Sequence, residues 1–239
     1  YNMSTISTSG ISASQIIRSE HLLRIIRALD GTNPVDIMVS GSLDLIGNQT
    51  ITGSLSQGAS GNISSGLNSH AEGQSTLSSG SYSHAEGQST LSSGSYSHAE
   101  GNNTTATGIY SHAEGNGTRA SGLASHAEGT STTASATYSH AEGQQSIASG
   151  VISHAEGFST VSQGFGSHAE GISTLSSGFY SHAEGNQTTS SGNNSHAEGS
   201  RSLSSGIGSH AEGSQTISSG QSSHAEGSGS LSSGIGSHA

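Results

Sequence analysis

One 14-residue unit recurs without insertion or deletion from Ser69 to the last residue, and it restricts the fold more than any other feature of the chain. The pentapeptide Ser-His-Ala-Glu-Gly opens each unit, first at Ser69–Gly73 and next at Ser83–Gly87. A weaker echo follows within the unit, as in Thr90-Leu91-Ser92-Ser93-Gly94. Self-similarity at a fixed period marks a stacked architecture, in which each unit buries its faces against its neighbours. Both pentads alternate small with variable residues, the period-two signature of a strand. Each closes on glycine, so Gly87 and Gly94 are the expected turn positions, where positive φ costs glycine little. One unit thus predicts two short strands and two turns: one coil of a parallel β-solenoid. At a strand spacing of about 4.8 Å, the complete units predict a rod on the order of 57 Å long.

Composition supports a thin structure over a thick one. Charged residues make up 9% and aromatic residues 4%, with 36 glycines in 239 residues. So few charges argue against a conventionally disordered chain, and so few large apolar residues argue against one deep core. Zero cysteine removes a disulfide framework. The net charge of −11, with no lysine and five arginines, argues against nucleic-acid binding, which needs clustered cations. No stretch reaches the roughly 20 apolar residues of a membrane-spanning helix, so no membrane insertion is expected. No basic, apolar leader is visible.

Strand parity assigns the faces. Ser83, Ala85 and Gly87 share one face of the first strand, matched by Thr90, Ser92 and Gly94 on the second. All are small, so the two sheets can close on each other with hydroxyls pairing along the stack. The opposite face carries His84, Glu86 and Leu91. The Leu91 position becomes Leu77, Ile147, Val161, Leu175, Leu203, Ile217 and Leu231, and is polar at Thr105, Arg119, Thr133 and Thr189. An outward column this apolar calls for a cover, most simply another copy of the chain.

Before the repeats, Ser12 and Gln15 form a capping box, flanked by Ile11 and Ile16 as a hydrophobic staple. They predict a helix from about residue 12 to about 30, stopped by Asp30-Gly31. The expected organisation is an N-terminal attachment or trimerisation segment over 1–34, a β-rich collar over 35–66, and a repeat shaft over 67–239. The last copy breaks off at Ser237-His238-Ala239, before its glutamate, so the repeats are expected to continue.

The small-residue spacing at Ser83, Ala85, Gly87, Thr90, Ser92 and Gly94 resembles the β-roll head of trimeric autotransporter (YadA-like) adhesins. The resemblance covers residues 69–239 and implies a mainly β, left-handed parallel β-roll in a homotrimer. It departs at His84 and Glu86, where those heads usually carry valine and isoleucine. The pentapeptide, with Gly41-Ser42-Leu43-Asp44-Leu45 and Thr50-Ile51-Thr52-Gly53-Ser54-Leu55 before it, is similar to SHAEG-repeat phage and virion fibre proteins. That resemblance implies attachment to a virion or baseplate protein through the N-terminal helix. It also implies a distal part, outside this chain, that contacts a host surface receptor.

The regular polar pairs are His70 with Glu72, His84 with Glu86, His98 with Glu100, His112 with Glu114, His126 with Glu128, His140 with Glu142, His154 with Glu156, His168 with Glu170, His182 with Glu184, His196 with Glu198, His210 with Glu212 and His224 with Glu226. A Ser-His-Glu catalytic triad is not expected, because Ser83 and His84 are adjacent and point to opposite faces. Imidazole and carboxylate are sound metal ligands, yet a copy in every coil suits a structural ladder better, so no functional metal and no cofactor are expected. In that ladder each imidazole N–H donates to a glutamate of its own or a neighbouring chain, near the threefold axis, and offsets the glutamates' mutual repulsion. Pairing would raise the histidine pKa and place the added stability below about pH 6.5, whereas burial acts in the opposite direction. Tyr82, Tyr96, Tyr110, Tyr138 and Tyr180, with Phe165 and Phe179 nearby, occupy the turn before the motif. They read as gap-fillers between chains or, more sharply, as a glycan-contact stripe.

The expected function is a non-enzymatic, homotrimeric virion fibre shaft in the virion or extracellular space. A bacterial surface adhesin head without its anchor is the alternative. An ice-binding solenoid is disfavoured because Thr76, Thr90, Thr104 and Thr118 fall on inward positions.

Overall fold

The structure is a computed structural model describing residues 55–58 and 61–239. The expected helix, with Ser12 and Gln15, and most of the expected collar lie outside the described residues. The rest is a parallel β-solenoid built from two sheets of thirteen strands each.

The opening coil contributes β1 (Leu55–Gly58) and β2 (Ile63–Ser64). The next two contribute β3 (His70–Gln74), β4 (Leu77–Ser78), β5 (His84–Gln88) and β6 (Leu91–Ser92). The same pair then repeats to β25 (His224–Ser228) and β26 (Leu231–Ser232). Odd-numbered strands stack only on odd and even on even, so consecutive strands never pair within a sheet. Every histidine from His70 to His224 is in register with the histidine one coil on, as His84 with His98. No helix occurs among the described residues.

The interior follows the parity expected from sequence. Ala85 is 0% exposed, and Ser83, Thr90 and Ser92 are buried with it. No large apolar side chain is buried anywhere in the described residues; the buried apolar residues are all alanine. Cohesion comes from backbone ladders at about the ideal hydrogen-bond length, such as Leu91 N–H to the Thr104 carbonyl at 2.9 Å. Inward serines add a second set. Ser92 and Ser97 hydroxyls lie 2.6 Å apart, and Ser97 donates to the Gly94 carbonyl at 2.6 Å. Where alanine replaces the first serine, at Ala106, Ala120, Ala134 and Ala148, an all-alanine core runs through the middle coils.

The turns differ from the expectation in one respect. Gly87 has φ of +109° as expected, but Gly94 does not have positive φ. A Cβ at Gly94 would stand 2.0 Å from the Gly108 carbonyl oxygen, so close approach between coils, not positive φ, favours glycine there. The left-handed corner residues are Ser89 (φ 56°) and Tyr96 (φ 59°), and their equivalents repeat this along the shaft.

The solenoid also begins inside the segment expected to be collar. Leu55 faces His70, whereas Ile63 faces Leu77, so the opening coil holds one extra residue between its strands. That insertion, together with Leu55, Ser56 and Gln57 in place of His, Ala and Glu, hides the coil from a strict 14-residue search. Asn62 closes the enlarged turn: its amide donates to the Gln57 and Gly73 carbonyls at 2.5 and 2.7 Å, and its oxygen accepts from Thr76 N–H at 3.0 Å.

Candidate functional site

The one continuous array of chemically capable side chains among the described residues is the outward face of the first sheet. In each coil the first strand places histidine and glutamate two residues apart, hence on the same face. In-register stacking then aligns the imidazoles into a column. Successive rings from His70 to His224 are 4.7–4.9 Å apart and within 18° of parallel. His238 instead stands at 83° to His224.

Within each coil, Nε2 faces the carboxylate of its own glutamate. The separation is 3.5 Å at His126–Glu128, 3.7 Å at His98–Glu100 and 4.0 Å at His224–Glu226. These distances are too long for an imidazole–carboxylate hydrogen bond within one chain; the expected bond to a neighbouring chain is a matter of the assembly. The same separation within the chain recurs along the whole column. His70 and Glu72 are 3.8 Å apart, His84 and Glu86 3.8 Å, and His112 and Glu114 3.9 Å. His140 and Glu142 are 3.7 Å apart, and His154 and Glu156 3.6 Å. Farther along, His168 and Glu170 are 3.6 Å apart, His182 and Glu184 3.6 Å, His196 and Glu198 3.7 Å, and His210 and Glu212 3.6 Å. Glu170, Glu198 and Glu212 stand beside the ring of their own coil, partly exposed and unbonded to it. Nε2 is shielded from solvent and lacks a hydrogen-bond partner in every coil from His70 to His224. Within one chain the ladder is therefore one of juxtaposed, unbonded pairs. Each imidazole is about one-third exposed, as at His98 (35%).

Burial holds His98, His126, His140, His168 and His210 below the ordinary histidine pKa, and repulsion from stacked imidazoles adds to it. Neighbouring glutamates, Glu212 beside His210 among them, oppose the shift without overcoming it. For these histidines burial outweighs pairing, which settles the direction that sequence left open. Burial, followed by repulsion from Glu156, raises Glu142.

Two irregularities interrupt the ladder of this face. Ladder pairing of Glu128 and Gly129 with Glu142 and Gly143 is interrupted, although Thr130 still faces Gln144, and the Thr132 hydroxyl donates to the Glu128 carbonyl at 3.1 Å. The same interruption separates Glu184 from Glu198, and the Glu184 carbonyl accepts from Thr188 at 3.0 Å. In both places the next coil carries serine, Ser146 or Ser202, where threonine is usual, and that serine donates to a carbonyl farther along, Gly157 or Gly213. Glu170 and Glu212 keep full register with the glutamates of the coils on either side.

Other expected site residues fall on separate faces. Ser83 faces the lumen and donates to the Gly80 carbonyl at 2.7 Å, while His84 lies on the outer face. Thr76, Thr90, Thr104 and Thr118 are buried. Tyr82, Tyr96 and Tyr110 form a separate exposed stack, with ring centroids 5.1 Å apart. What sequence reading missed is the left-handed backbone beneath these tyrosines; the presence of Asn68, Gly166, Asn194 and Gly208 at the same position was the available signal. No protein-family model matches the chain, and no curated protein matches it.

Proposed function

We propose that the chain is a structural shaft segment of a virion fibre, assembled from three copies, carrying a host-contacting part at a distance from its attachment point. The observation that supports this reading is the inverted distribution of apolar residues. The interior holds only alanine, serine, threonine and glycine, while Tyr96, Ile109, Phe179 and Ile207 are about half exposed. Stable proteins leave apolar patches this extensive where another surface covers them. A uniform shaft offers the same columns at every height, and copies of itself match that periodicity. The repeated pentapeptide and its resemblance to SHAEG-repeat fibres supply the virion context. In this reading the N-terminal segment docks to a virion or baseplate protein, and the shaft itself performs no chemistry.

Sedimentation or native mass measurement of the purified chain tests the assembly, with three copies expected. A stable monomer at micromolar concentration would refute it. Gold-labelled antibody against the repeats tests the placement. Labelling is expected along projecting fibres of the particle, and its absence from particles would refute that part.

A further inference from the structure

We propose that the histidine–glutamate face is a linear array of transition-metal sites, each taking Zn2+ or a similar borderline dication between two neighbouring coils. A zinc ion binds imidazole nitrogen and carboxylate oxygen at about 2.0–2.2 Å, so two of its ligand atoms lie at most about 4.2 Å apart. His126 Nε2 and Glu128 Oε2, at 3.5 Å, already satisfy that limit, as does the widest pair at 4.0 Å. The histidine of the next coil supplies the third ligand. In the triplet His70, Glu72 and His84, all three ligand atoms lie within 4.8 Å of one another, and twelve such triplets overlap along the face.

Closing the remaining gap takes a small tilt of one ring. The rings are spaced at 4.7–4.9 Å, wider than ring-on-ring contact, so nothing between them resists it. The independent sign of an absent partner is Nε2 itself, buried and unbonded in each of these coils although a carboxylate is beside it. Buried polar atoms are normally satisfied, and a repeated exception calls for a partner. Two nitrogens and one carboxylate select zinc, nickel or copper over magnesium and calcium, which require oxygen ligands. The half-exposed glutamates leave the fourth position open to water. All three protein ligands come from one chain, so the array does not depend on the trimer.

Sharing sets the stoichiometry. Adjacent triplets compete for a histidine, so twelve triplets fill with only about six ions per chain at three protein ligands each. Equilibrium dialysis of the full chain against Zn2+, with elemental analysis and the sedimentation mass of the same sample, reads this ratio directly. A chain with His84, His112, His140, His168, His196 and His224 each replaced by asparagine keeps every other imidazole but no neighbouring pair. Its bound zinc is expected to fall more than tenfold. Circular dichroism checks its fold; if that variant does not fold, the unaltered chain with Co2+ decides, an intense four-coordinate visible band saturating at the same ratio being expected. A ratio near twelve, a ratio near zero, half-retention in the alternate variant, or only a weak six-coordinate cobalt band would overturn the proposal.

Discussion

Replacing Gly101 by alanine tests what holds the coils at their spacing. A methyl carbon built there would stand 2.1 Å from the Gly115 carbonyl oxygen, on a backbone with φ of +112°. Carbon–oxygen contacts settle near 3.3–3.6 Å, so the two coils must part locally by roughly 1 Å. Bonds between these two coils, Gly117 N–H to the Asn102 carbonyl and Thr105 N–H to the Thr118 carbonyl, both at 2.9 Å, would then stretch beyond useful length. Two such bonds at about 1 kcal/mol each, with about 1–3 kcal/mol of backbone strain, give a local destabilisation of about 3–5 kcal/mol. A repeat array opens in segments, so global melting would blur the effect. Native-state hydrogen exchange resolves it: amides in the coils around Gly101 should exchange at least 100-fold faster, while those beyond Gly199 stay unchanged. Gly94→Ala provides the internal comparison. Its φ is not positive, and Ala136 already occupies the equivalent position in another coil, so a smaller effect is expected. Equal effects at the two glycines, or less than a tenfold change at Gly101, would refute close packing plus positive φ as the source of the requirement.

Ser97→Ala removes the partner of Ser92 and the bond to the Gly94 carbonyl; it should cost about 1–2 kcal/mol in denaturant unfolding. Ser111→Ala, facing Ala106 and losing only its bond to Gly108, should cost less. Ile152 is β-branched at φ of 59° and exposed, so Ile152→Asn should stabilise the chain by up to about 1 kcal/mol in a thermal melt. Stability should fall as pH drops from about 7 to 5. The unfolded chain takes up histidine protons near pH 6.5, while His98, His126, His140, His168 and His210 resist them when folded. Urea midpoints that rise over the same interval would contradict burial as the larger influence.

The solenoid was legible because parity and period are properties of the chain alone. Ala85 and Ser92 had to face inward once His84 and Leu91 faced out, and the fixed period left no freedom in register. The coil beginning at Leu55 escaped because its inserted residue breaks the period while Asn62 repairs the geometry, a compensation made by side-chain hydrogen bonds. The role of Gly94 was misassigned because glycine serves both for positive φ and for close approach, and only coordinates separate the two. The His–Glu pairs were placed on the right face. The spacing that keeps Nε2 from bonding Glu170, Glu198, Glu212 and their counterparts depends on rotamers, to which the period is blind.

Every winding bonds only the windings directly above and below it, and the same two edges recur in each. Copying or deleting one whole repeat therefore keeps the backbone ladder in register and changes mainly the number of windings. A gene carrying such tandem copies can adjust that number by unequal recombination, with no need to redesign a core.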